Sequence, residues 1–383
     1  MISLGKLEEE RALELHRKCI VFDSQGDPPS LYSDTMLKRL DELIAANTPA
    51  WITYDEMRNL TAEELVKSAE YRQTFRKIIK DAGVTAVSTT IGVSGPTPFA
   101  YENAVKEFAR WTYSFDMLRD LLVKVVKAED VRNAKIEEKF AVALNSQNAA
   151  HIGSDIGNLE FFFQAGVKQI QLTYNTRNLV GDGCTERSDA GLTNFGLQVV
   201  DGMNKLGMII DLSHCGHRTT MDAVAASRDP VAFTHTDSRA LCNHDRNKTD
   251  EEIQAVAEKG GYIGLTIIPH FISEKETAKF DDFLDHVDHV IELVGVDHVG
   301  IGSDSAGSAD TPKKFWKVYN AELSRIGFRP EHRTRFDVST RGYEKYVDWP
   351  NFTRGLVSRG YSDQEIMKIL GDNFLRFFDR VVG

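Results

Sequence analysis

Eight short apolar runs, rich in β-branched residues and each ending in polar residues, recur along this chain and limit what it can fold into. They are CIVFD (19–23), VTAVSTTIG (84–92), FAVALN (140–145), KQIQLTY (168–174), MIIDLSH (208–214), VAFTHT (231–236), YIGLTII (262–268) and HVGIGSD (298–304). Continuous apolarity marks strands buried on both faces, as in parallel sheets. Helical patterns separate the runs, such as SDIGNLEFFFQAG (154–166), closing on Gly166, and TDEEIQAVAEKG (249–260). Eight strands alternating with helices predict an α/β fold, a (β/α)8 TIM-like barrel. An open doubly wound sheet is the alternative, because a strand count does not establish closure. Residues 28–80 and 305–349 read as polar, helix-bearing insertions placed where barrel enzymes carry substrate-covering loops. The final segment, NFTRGLVSRGYSDQEIMKILGDNFLRFFDRVV, reads as a helix pair, with SDQE as the capping box of the second helix. No linker or repeat interrupts 1–383, so a single barrel domain is expected.

Of 383 residues, 42% are hydrophobic and 27% charged, ordinary values for a globular protein with a large core. A formal net charge of −11 argues against nucleic acid as the partner, since phosphate binding needs a basic surface. The 4 cysteines, Cys19, Cys184, Cys215 and Cys242, form no C-x-x-C pair, so neither a zinc knuckle nor a dithiol centre is indicated. The charged start MISLGKLEEERALELHRK has no apolar signal core, and no apolar run is long enough to span a bilayer. A cytoplasmic location with reduced thiols, and no membrane partner, is the expectation.

In a barrel, side chains at the C-terminal strand ends converge on one pocket. Here those ends carry Gln25 and Asp27 (first run), Gln147 and Asn148 (third), Tyr174 and Asn175 (fourth), His214 (fifth), His235 (sixth) and Asp304 (eighth). Two histidines on neighbouring strands with an aspartate across the barrel point to a metal, and imidazole suits zinc. His151 lies close by as a candidate substrate contact. His217 and His298 read as bystanders, and His286 and His289 as part of a solvated helix face in DDFLDHVDHVIELVG. No nucleophile motif is present, and the glycines of GIGSD read as close packing around Asp304.

The runs DLSHCGHRTTMDAV, PVAFTHTDSRALCNHDRNKTDEEI, HVGIGSDSAG and NFTRGLVSRGYSDQEIMKILGDNFLR resemble the membrane (renal) dipeptidase family, peptidase family M19, among the amidohydrolase-like barrels. The resemblance is strong from His214 onward and weaker before it. It implies a binuclear zinc site: an H-x-D pair on the first strand, a bridging glutamate on the third, and two histidines on the fifth and sixth. Asp27, His214 and His235 match that pattern. Asp304 matches the proton-moving aspartate, and Arg246 the arginine that binds a substrate carboxylate. Three positions depart from it. In VFDSQGDPPS, Gln25 stands where the first histidine is expected. Gln147 replaces the bridging glutamate, and Tyr174 a substrate-contacting histidine.

Two dications a few ångströms apart repel strongly even at an effective dielectric of about 20. A bridging carboxylate offsets that repulsion, and a neutral Gln147 does so less well. The expectation is therefore one zinc ion at His214 and His235, completed by Gln147, Asp27, Gln25 or Asp304 and a water. The reaction expected is hydrolysis of an amide in a small, carboxylate-bearing dipeptide-like or N-acyl amino acid substrate. Asp304 would act as proton carrier, Tyr174 as oxyanion donor, and Arg246, Asn148 and His151 as substrate contacts. The alternatives are a single-metal decarboxylase or C–N lyase on the same barrel, or a non-catalytic ligand-binding protein. A homodimer is implied by the resemblance alone.

Overall fold

The computed structural model describes residues 2, 4–92, 95–305 and 308–383. Ala306 and Gly307, part of the HVGIGSDSAG motif and of the 305–349 insertion, lie outside the described residues. Nine parallel strands form one sheet: β1 (Phe22–Asp23), β2 (Ala86–Thr90), β3 (Leu122–Val125), β4 (Phe140–Ser146), β5 (Val167–Gln171), β6 (Ile209–Asp211), β7 (Ala232–Thr236), β8 (Tyr262–Leu265) and β9 (Val299–Ile301). Eight follow the order β1-β2-β4-β5-β6-β7-β8-β9. Backbone hydrogen bonds from Ser24 N to Ile301 O (3.0 Å) and from Asp304 N to Gln25 O (2.8 Å) bring the last strand back to the first. The sheet is therefore a barrel, not an open doubly wound layer.

The ninth strand, β3, has no counterpart among the eight sequence runs. It pairs with the first half of β4, Leu122 opposite Phe140 through Val125 opposite Ala143, while β5 pairs with β4 only from Leu144 onward. One edge of β4 is thus shared by two strands, and β3 stands outside the ring. Two glycines let the ring close tightly. A Cβ added at Gly264 or Gly302 would overlap the carbonyl oxygen of Thr234.

The helix Asn373–Val382 covers one end of the barrel. Phe374 packs edge-on to Phe22 with ring centroids 4.7 Å apart, and lies 4.8 Å from Tyr262. Its approach includes a π-helical turn, Lys368–Asp372, whose Gly371 lies against the Ile20 carbonyl where a Cβ would not fit. The expected SDQE capping box is present: Ser362 Oγ accepts from Glu365 N, and the Glu365 carboxylate accepts from Ser362 N (2.8 Å).

The first insertion folds into three helices, Asp34–Ala45, Ala50–Lys67 and Ala69–Ala82. The second contributes Lys313–Ala321 and several 3-10 turns. The two pack together through Leu40, Met57 and Phe315, with Tyr54 against Phe315 and Tyr319. One histidine is misplaced by the sequence reading. His286 is fully buried, not on a solvated face: its ring lies 3.1 Å from both Ser238 N and Ile272 O.

Candidate active site

His214 and His235 are both buried at the ends of β6 and β7. Their Nε2 atoms are 2.9 Å apart. The tautomer of each follows from its other nitrogen. Asn175 Nδ2 donates to the Ile326 carbonyl (2.8 Å), which fixes its amide and aims Oδ1 at His214 Nδ1 (2.6 Å). His214 therefore carries its proton on Nδ1. Thr234 donates its only hydroxyl proton to Asp211 Oδ2 (2.6 Å), so its oxygen accepts from His235 Nδ1–H (2.9 Å). Both Nε2 atoms are then left with lone pairs, and they lie 2.9 Å from one another.

Burial, and after it the Arg246 charge, holds both imidazoles well below the ordinary histidine range, so both are neutral, the form that binds metal. Two lone pairs this close repel unless both are turned to a shared cation, and with metal–nitrogen bonds of about 2 Å such an ion would sit to one side of the line joining them, so the pair fits a metal ion. Each imidazole is oriented by a hydrogen-bonded partner behind it, as metal-binding histidines commonly are. Among the described residues, no group of three or more His, Cys, Asp or Glu gathers as a complete cage. His214 and His235 are thus a pair, not part of a larger cluster of such groups.

Gln25 and Gln147 are held in a network of amides and hydroxyls. Thr90 Oγ1 accepts from Gln25 Nε2 (3.2 Å) and from Gln147 Nε2 (3.0 Å), and donates to Asn145 Oδ1 (3.0 Å). Asn145 Nδ2 donates to Gln25 Oε1 (2.9 Å) and to Ser88 Oγ (2.8 Å). From Ser88 the contacts run through Gln169 to Asp211, and so to Thr234 and His235. Thr90, Asn145, Asp211 and Thr234 are the residues that reading the strand ends missed. They lie inside the barrel, and only cross-strand neighbours reveal their role.

Asp27 accepts from Tyr54 of the first insertion (2.7 Å) and from Thr89 (3.2 Å). Asp304 follows β9 in a left-handed conformation, φ 52°. Burial pushes its carboxyl up to about 7; the Arg246 charge opposes this, and Asp27 and Asp211 add to it. Tyr174 stacks on His214, with ring centroids 4.1 Å apart and planes 22° from parallel. Burial keeps its phenol protonated, well above the ordinary range.

Arg246 is completely buried. Its Nη1 donates to the Ser213 carbonyl (2.5 Å) and its Nη2 to the His235 carbonyl (2.9 Å), while Nε has no protein partner. His151 and Asn148 lie on the turn after β4, where Asn148 O accepts from His151 Nδ1 (2.8 Å). His151 packs edge-on to Phe162, and burial lowers it to about 4. A cavity of about 180 Å³ is lined by Asp27 and Asp304, though by neither histidine, and by residues of both insertions.

A barrel with paired, pre-oriented histidines at its strand ends is the arrangement of a metallohydrolase-type site. The chain belongs to the membrane dipeptidase family (peptidase family M19), whose model matches residues 9–323. It is 33% identical to an uncharacterized dipeptidase of Schizosaccharomyces pombe over 181 residues, 46% of this chain and 44% of that protein. It is 29% identical to the dipeptidase tcpJ of Claviceps purpurea over 269 residues, 70% of this chain and 57% of that protein. The chain therefore spans about half the length of these curated relatives. An amidohydrolase from Pseudomonas aeruginosa shares 27% identity and a TM-score of 0.73, covering 97% of this chain and 98% of that one. Among the described residues, no helix is long and apolar enough to cross a membrane.

Proposed function

We propose that this chain is a dipeptidase-type hydrolase that uses one zinc ion to cleave an amide bond in a small, carboxylate-bearing dipeptide-like or N-acyl amino acid substrate. The observation that carries the reading is the pair of neutral imidazoles whose Nε2 atoms lie 2.9 Å apart. His214 and His235 would hold the ion, with Asp27 as the acid supplied from the first strand. A zinc ion so held supplies Lewis-acid activation of water and of the scissile carbonyl.

The chain's own groups do the remaining work. Asp304, with its carboxyl near neutrality, takes a proton from the attacking water and returns it to the leaving amine. Tyr174 donates its phenolic hydrogen to the developing oxyanion. Arg246 fixes the backbone behind both histidines through its Nη groups, and its unpartnered Nε–H is assigned to the substrate carboxylate. Asn148 and His151 are assigned to the substrate side of the turn after β4. Gln25 and Gln147, their amide nitrogens committed to Thr90, form a neutral wall where a second cation would otherwise bind.

The test is metal content per chain by elemental analysis, with turnover of L-Ala-D-Ala. About one equivalent is expected, and His214→Ala should lose metal and turnover together. Failure to take up any metal, or a His214→Ala variant that keeps both, overturns the assignment. Two equivalents would return the amides to the ligand set.

A further inference from the structure

The cavity lined by both insertions has no part in the hydrolytic reading above. Asp27 and Asp304 line it on the side of the site, and its wall is mostly apolar, with Leu31, Met57, Leu65, Phe315, Trp316 and Phe336 contributed by both insertions. Its three arginines are each ion-paired: Arg58 with Glu107 (3.2 Å), Arg110 with Asp55 (2.6 Å) and Arg335 with Asp337 (2.6 Å). The wall thus offers a ligand apolar surface rather than a cation for a carboxylate. Its volume is about 180 Å³. An apolar cavity of about 150 Å³ is enough to bind benzene. A methyl group would leave most of this space unfilled, whereas one aromatic ring occupies it.

We infer that this cavity is a specificity pocket for a single aromatic side chain, so that the preferred substrates are aromatic dipeptides rather than alanyl ones. The inference rests on the hydrolase reading for its substrate class, but the pocket can be tested without turnover. Burying a ring in place of a methyl group favours the aromatic substrate by at least tenfold.

On the metal-loaded full chain, kcat/KM for L-Phe-D-Ala should exceed that for L-Ala-D-Ala by at least tenfold. Ala62→Trp and Thr61→Phe, which fill the cavity from the helix Ala50–Lys67, should each reduce that ratio at least tenfold. In parallel, p-cresol alone should show saturable binding by saturation-transfer NMR, lost in either folded variant. If no dipeptide is cleaved but p-cresol binds and the filled variants lose it, the pocket stands and the hydrolase reading falls. If dipeptides are cleaved with equal efficiency and p-cresol does not bind, the pocket falls and the hydrolase reading stands. A ratio unchanged in both filled variants also overturns the pocket.

Discussion

Asn175 shows how one uncharged side chain can fix the tautomer of a histidine. Its amide is anchored on the Ile326 carbonyl, and its oxygen holds His214 Nδ1–H at 2.6 Å. Asn175→Ala removes the acceptor that fixes the tautomer, and metal affinity should fall by roughly 10–100-fold. Competition against a chelator measures this, and an unchanged affinity would refute the orienting role. The opposite change tests the neutral network. Gln25→His combined with Gln147→Glu places an imidazole and an anion beside Thr90, and bound metal should rise from about one towards two per chain; a count that stays at one removes the amides as the reason. The placement of the two histidines and Asp304 at strand ends was legible in the sequence because each ends an apolar run. Thr90 and Asn145 were not, because their roles depend on strands that only folding brings together. His286 did leave a signal: Phe283, His286, Val287 and Val290 follow the spacing of one buried helix face, and all four are buried.

At the level of elements, all eight ring strands coincide with apolar runs, and only their limits differ. β1 spans only Phe22–Asp23, although the run begins at Cys19, because Cys19 still caps the preceding helix, Lys6–Lys18. β3 escaped notice because its LVKV is four residues long, carries a lysine, and is half-buried at its two middle positions. Its existence depends on the free half-edge of β4, which no local pattern announces. The glycines of GIGSD were legible in kind, and Gly302 shows the reason: β7 runs so close that a Cβ would overlap the Thr234 carbonyl. Gly302→Ala should therefore destabilise the fold by about 1–3 kcal/mol through overpacking. It should also displace Asp304, two residues on, lowering kcat more than the stability loss accounts for. Denaturant unfolding and kinetics on the same preparation check this; a variant as stable as the parent would show that the strands can part at little cost.

For the whole molecule, acid stability turns on histidines that hold distant segments together. His16 ties the first helix to two others, with Nδ1 2.7 Å from Thr353 Oγ1 and Nε2 2.7 Å from the Ala82 carbonyl. Burial lowers His16, His151 and His286 each to about 4. In the unfolded chain each would titrate near 6.5. Between those values the unfolded state binds more protons than the native one, so stability falls as the pH drops from about 6.5 to 4. The loss is at most about 3–4 kcal/mol per histidine. Asp304 acts in the opposite sense. Its native carboxyl is raised to about 7, so it takes up a proton in the folded state first, and acid relieves the cost of burying its charge. The net slope of the parent protein therefore mixes opposing contributions and cannot by itself be assigned to one group. The difference between parent and His16→Gln isolates one of them. Glutamine can donate to the Ala82 carbonyl but cannot take up a proton, so the variant should be less stable at pH 7 yet lose less stability between pH 6.5 and 4. Urea unfolding at half-unit pH intervals reads this directly: converging curves support His16 as an acid-sensitive tie between the first helix and the barrel, and parallel curves refute it.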